Sequence, residues 1–260
     1  MSVYESGARS RGICGLRAAA QRALIGLARS LAGALGGGIR QLRMMRILLR
    51  LALLILPAFS VACRVPSESR GIAIDSLNYR DANVVPSGIL SARPSLDSFV
   101  VAWYSQQLSA LREGRMAVGI PHGTQEAYRF LWLRSFHHPV AIRVYSSQTG
   151  AVAVTSEAAG AGGYAPGSVT RRDSVVLSDR EWHALTVLIE REKFWDRPAV
   201  DTSRAGLDGA EWVVEGRWDT RYTLVSRWSP RDTDSTAFMR TLGLAFLRVG
   251  HVVVPPAEVY

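Results

Sequence analysis

Two adjacent histidines, His137 and His138, stand in Arg-Ser-Phe-His-His-Pro over 134–139, and histidine is the side chain most used as general base and metal ligand near neutral pH. Neighbours in extended chain point to opposite sides, so the pair does not converge on one metal. No His-Glu-x-x-His or comparable ligand spacing accompanies them. A turn histidine bonded to nearby backbone is the competing reading. Glu211 and Glu215 come next: on a strand their carboxylates share a face about 13 Å apart, beyond the roughly 5 to 9.5 Å of paired acids in glycoside hydrolases. Asp208 sits in Gly-Leu-Asp-Gly over 206–209, a turn signal in which Asp bonds backbone ahead of it. An envelope hydrolase would require His137 or His138 within hydrogen-bond reach of an acid such as Asp208 or Glu211.

The glycine-rich run over 160–167 lacks the Lys-Ser/Thr pair and following helix of a phosphate loop, and reads as a hairpin or Ω-type loop. The serine-hydrolase elbow Gly-x-Ser-x-Gly is absent. Cys14 and Cys63 are the only cysteines; a product processed at Cys63 keeps one of them, too few for a Cys-ligated zinc site, and no cofactor is implied.

The formal net charge of +9 is unevenly placed. Residues 1–63 hold nine of the 31 bases and one of the 22 acids, leaving 22 bases and 21 acids for the rest. A nucleic-acid binder needs a concentrated basic stripe; here Arg alternates with Asp and Glu, so no nucleic-acid partner is expected.

The local concentration of charge has a different explanation. From Met45 a short cationic segment, an apolar core over 51–59 and the small residues Ser60, Val61 and Ala62 lead to Cys63, the order of an export signal. The uncharged stretch over 51–62 falls well short of the roughly 20 residues that span a bilayer. Val61, Ala62 and Cys63 resemble the lipobox of bacterial lipoproteins, with Ser60 departing from its usual Leu, and that resemblance implies a lipid on Cys63. The expected address is the cell envelope, lipid-anchored on the periplasmic or outer-membrane side. The alternative is a soluble periplasmic or secreted product. Residues 1–44 read as a mis-called or disordered extension, 45–62 as the signal peptide, and 63–95, with Pro66, Pro86 and Pro94, as the lipid-bearing cysteine and a tether.

Residues 96–260 read as the folded domain. Phe99, Val100, Trp103 and Leu111 have helical spacing over 95–113. Tyr128 to Leu177 has the period of two of an antiparallel meander, with Tyr128, Phe130 and Trp132 on one face. Ser178 and Glu181 form a capping box ahead of Trp182, Leu185, Leu188 and Ile189. A hairpin follows with a three-residue loop at 218–220; that parity puts Glu211, Glu215, Arg221 and Arg227 on the solvent side and makes Glu211–Arg227 an exposed ion pair. A last helix over 235–249 carries Phe238, Met239, Leu242 and Phe246. The fold class is α+β: a single antiparallel sheet of about four strands, a helix and a two-stranded hairpin, with helices packed on one face.

The strings over 128–139, 160–167, Phe194-Trp195 and 206–216 resemble a family of uncharacterised bacterial proteins, over about residues 96–250. The resemblance implies no activity, cofactor or catalytic residue. The expected role is a non-catalytic, membrane-tethered envelope domain with a binding or structural task, partnered by the membrane through Cys63 and by a further envelope protein.

Overall fold

The computed structural model describes residues 71–79, 83–90, 94–118, 124, 126–147, 150–201, 206 and 208–260. The export signal, Cys63 and everything before them lie outside these. Within them the order is β1 (Ile72–Ala73), α1 (Pro94–Ala110), β2 (Glu126–Arg134), β3 (Val140–Ser147), β4 (Gly150–Ala158), β5 (Val169–Leu177), α2 (Asp179–Arg191), β6 (Ala210–Trp218), β7 (Arg221–Trp228) and α3 (Ala237–Val249). The strands form one antiparallel sheet of seven in the order β1-β7-β6-β2-β3-β4-β5. The fold is thus α+β with a single sheet, with more strands than expected. No helix of the described residues is long and apolar enough to cross a membrane.

The helices do not share one face. On the first face α2 and α3 pack Leu185, Ile189, Met239, Leu242 and Phe246 against Tyr128, Phe130, Trp132, Trp212 and Val214. On the second, α1 packs Val101, Tyr104 and Leu108, and the turn after it Leu111, against Leu131, Leu133, Val213 and Leu224. The central strand β2 is accordingly buried along both sides, as strands covered on two faces are. The stripe of α1 that faces the sheet is therefore Val101, Tyr104 and Leu108, continued by Leu111 just past its end; Phe99, expected in that stripe, is 71% exposed.

The part of the expected tether that is described belongs to the fold. Val84, Val85, Ile89 and Leu90 are buried in the second core. The N–H groups of Val84 and Val85 donate to Ser105 Oγ, and those of Gly88 and Leu90 to the carboxylate of Asp97. Irregular chain can be buried here because α1 supplies its hydrogen bonds. β1 adds a short outer strand against β7.

The hairpin also differs from expectation. Trp218 pairs with Arg221, so the loop is the two residues Asp219 and Thr220, with Asp219 at φ 52°, a left-handed conformation that Asp tolerates better than most side chains. The even loop reverses the β7 faces: Glu215 pairs with Leu224, Glu211 with Trp228 and Trp212 with Arg227. Glu211 and Arg227 lie on opposite faces and form no ion pair, because the acids go to the second core with Tyr222 and Leu224.

Candidate functional site

Burying acids on the second face demands partners, and the neighbouring strand provides one. Arg129 on β2 lies directly across from Glu215 and donates to its Oε1 from Nε at 2.9 Å and Nη2 at 2.6 Å. Tyr222 Oη donates to Glu215 Oε2 at 2.6 Å. Behind the end of α1, Glu113 accepts from Arg143 and Arg172 at 2.9 and 3.2 Å. Burial pulls the Arg129 guanidinium down, but Glu215 and Glu113 outweigh it and hold it above its ordinary value. Burial, then the adjacent Glu215, pushes Tyr222 far up and Tyr79 to about 12. Arg129, Glu215, Tyr222 and Glu113 are enclosed and hydrogen-bonded, and their work is to clasp the end of α1 to the sheet.

Glu211 is placed differently. Its carboxylate accepts from Ser226 Oγ, which is 2.9 Å from Tyr104 Oη. Burial raises its pKa above the ordinary 4.5; Ser226, Tyr104 and the more distant Arg227 offset this only in part. Tyr104 is in turn raised well above its ordinary value by burial and by Glu211. In register, Glu211 lies between Leu133 of β2 and Trp228 of β7, and part of its residue surface remains open.

The two register neighbours of Glu211, Leu133 and Trp228, line a cleft of about 360 Å³ together with Phe99 and Trp103 of α1, Ser135 and Tyr164 among others. Its far wall is the glycine-rich loop. That loop follows β4 and leads into β5, not a helix. A Cβ on Gly162 would stand 2.6 Å from Leu133 Cα, and one on Gly163 2.9 Å from Ser135 Cα, so glycine is required for close approach to the end of β2. Gln107 Nε2 donates to the carbonyls of Gly162 and Tyr164 at 3.1 and 2.8 Å, fixing the loop to α1. Tyr164 and Phe136 then face outward, 64% and 62% exposed, with ring centroids 6.4 Å apart.

All four residues singled out from the sequence fall at this end of the sheet, yet the histidines and Glu211 are not brought together. His137 Nδ1 is 2.8 Å from Tyr260 Oη and its Nε2 3.6 Å from Glu258 Oε2, both on the tail that packs the first face. His138 Nδ1 is 2.9 Å from the carbonyl of Gly160. Asp208 is exposed on the rim of a second, more open cleft of about 630 Å³ that also contains Trp228, Arg240 and Tyr260. The acid nearest His137 among the described residues is Glu258. Among the described residues no three His, Cys, Asp or Glu side chains gather as a metal would require.

Sequence reading missed Tyr104, Tyr164, Ser226 and Trp228 as site residues. The signal for the first was available: Tyr104 follows Val101 and precedes Leu108 at helical spacing. Trp228 was legible as a face residue but placed opposite Glu211 by the wrong loop parity. No family model, no curated protein and no solved structure matches this chain.

Proposed function

We propose that this protein is a non-catalytic envelope lipoprotein, tethered to a membrane by a lipid on Cys63, whose domain acts by binding a ligand in the groove between α1 and the glycine-rich loop. The observation that carries the binding role is the exposure of Phe99 and Tyr164, at 71% and 64%, on the rim of a cleft walled by Trp103 and Trp228. Large apolar side chains grouped at a concavity mark interaction sites. The order of charged segment, apolar core and small residues before Cys63 supports the address. The soluble periplasmic or secreted form remains the alternative address, and a further envelope protein the alternative partner.

A second reading, an envelope hydrolase on His137, draws on its proximity to Glu258. The binding reading is favoured because Tyr260 holds His137 Nδ1 and its Nε2 faces Glu258 of the tail at 3.6 Å, whereas a general base needs a nitrogen aimed at substrate.

Two measurements test the proposal. Intact mass of protein from its native membrane fraction is expected to begin at a diacylated Cys63; a chain beginning at Met1 overturns the address. An apolar fluorescent probe is expected to saturate one site and to bind at least about tenfold more weakly after Phe99→Asp, a substitution at an exposed rim position that leaves the core intact. Unchanged affinity puts the probe elsewhere and removes the groove from consideration.

A further inference from the structure

The groove combines two features that select for the same ligand chemistry. Four aromatic side chains, Phe99, Trp103, Tyr164 and Trp228, line it, and none of its described lining residues carries a charge. Glu211 does not itself line the groove, but it is the acid that stands in register between the lining residues Leu133 and Trp228. Arg227, the next residue along β7, turns to the opposite face, where its guanidinium lies 5.2 Å from the centroid of the Phe238 ring. Aromatic faces attract a cation that has shed its water, and Trp is the strongest of them. A carboxylate in a poorly hydrated setting adds attraction of the same sign, with less screening than at the surface.

We infer that the groove receives a cationic alkylammonium group, a quaternary or methylated ammonium, seated among Trp103, Trp228, Tyr164 and Phe99 above Glu211. This rests on the groove being a binding site and adds the charge and shape of what enters it. A hydrated metal ion or compact protonated amine is disfavoured because the walls offer ring faces and few acceptors to replace lost water. An anion is disfavoured by Glu211. A neutral apolar group would gain the contact with the rings and forgo the attraction.

The rest of Glu211's surroundings accommodates the role. Ser226 donates to one carboxylate oxygen and Tyr104, hydrogen-bonded to Ser226, is held protonated by burial and by Glu211 itself. The groups facing Glu211 are therefore a neutral hydroxyl from β7 and a neutral phenol from α1, while the guanidinium of Arg227 acts on it only from the opposite face of the sheet. A cation arriving above Glu211 favours its ionised form, so binding releases a proton wherever the free protein holds that carboxyl protonated.

The test compares choline with its uncharged isostere 3,3-dimethylbutanol on the full chain, read by tryptophan fluorescence. Choline is expected to give a saturable change and to bind about tenfold more tightly than the isostere, more tightly still as pH rises, with the preference lost in Glu211→Gln. Tyr164→Ala, at an exposed position, is expected to weaken choline more than the isostere, and keeps the test decisive if Glu211→Gln does not fold. Equal affinity for both compounds overturns the cation inference while leaving the groove as a binding site. A saturable probe site in the groove together with no response to choline overturns it as well. Choline affinity unchanged by Tyr164→Ala would place the cation elsewhere and refute this assignment.

Discussion

At the scale of single residues, one buried and one half-buried acid on the same strand face carry different consequences. Glu215 is paired with Arg129 in the interior, and removing one partner of a buried pair costs far more than the pair contributes, because the other charge is stranded. Arg129→Met is expected to lower unfolding free energy by about 3 to 5 kcal/mol, and Arg129→Met with Glu215→Leu to recover most of it. Denaturant melts of the single and double variants check this; a double variant no more stable than the single one contradicts it. Glu211 works in the other direction. Its folded pKa lies above the ordinary 4.5, chiefly through burial, so the folded state holds a proton that the unfolded chain has released. The stability this adds is complete below about pH 4.5 and is lost as pH rises through the folded value. Glu211→Gln is expected to remove that decline. Unfolding free energies measured across the acid to neutral range should diverge, with the wild type falling relative to the variant as pH rises; parallel profiles would show that Glu211 titrates as it does when unfolded.

At the scale of elements, what was legible in the sequence was local. The capping box of Ser178 and Glu181 is present in full, and the α2 and α3 stripes bury the residues their spacing selects, because both signals reside within a few residues. The β6–β7 register was not legible, since choosing a loop by keeping acids in solvent assumes that no partner waits inside. Arg129, 86 residues away from Glu215, is that partner. Nor could Pro- and Ser-rich composition reveal that Asp97 and Ser105 of α1 would satisfy the backbone at 84–90. The seating of α3 shows a similar competition. Gly243 is buried mid-helix, where replacement by Ala ordinarily gains up to about 1 kcal/mol of helix propensity. Here a Cβ would stand 2.2 Å from Cζ3 of Trp212 and 3.0 Å from Cζ of Phe130. Trp212 is itself fully buried and its ring cannot yield, so overpacking of about 1 to 3 kcal/mol prevails. Gly243→Ala is expected to lower Tm, and an unchanged or raised Tm would mean that α3 can lift from the sheet without penalty.

At the scale of the whole molecule, the double-sided burial of the central strand was visible in the unbroken apolar run from Phe130 to Leu133 flanking Arg129, a pattern of strands covered on both faces; weighting only the alternation left one core unseen. The candidate site was partly legible for the same reason. His137, His138, Asp208 and Glu211 do meet at one end of the sheet, but a sheet has two faces, and only topology distributes them: the histidine side of that end is closed by the tail, the Glu211 side by α1. The tail connects first-face elements distant in sequence. Trp212 Nε1 donates to the Tyr260 carbonyl at 2.8 Å, Arg240 to that of Val259 at 3.0 Å, and Arg134 to Glu258 at 3.1 Å. Arg134 is also stacked over Trp132, 4.1 Å from its ring centroid. Removing residues 257–260 leaves the indole N–H of Trp212 and the mostly buried guanidinium of Arg134 without these acceptors, each such loss costing about 1 to 3 kcal/mol. The truncated protein is expected to unfold about 2 to 5 kcal/mol more readily. Its groove lies on the other face and shares with the tail only the cleft at Trp228, so apolar-probe affinity at a temperature where the truncated form remains folded is expected to stay within about twofold of the intact protein. A large loss of affinity together with the loss of stability would mean that the two faces are coupled through Trp228, and that the tail holds the groove open as well as closing the core.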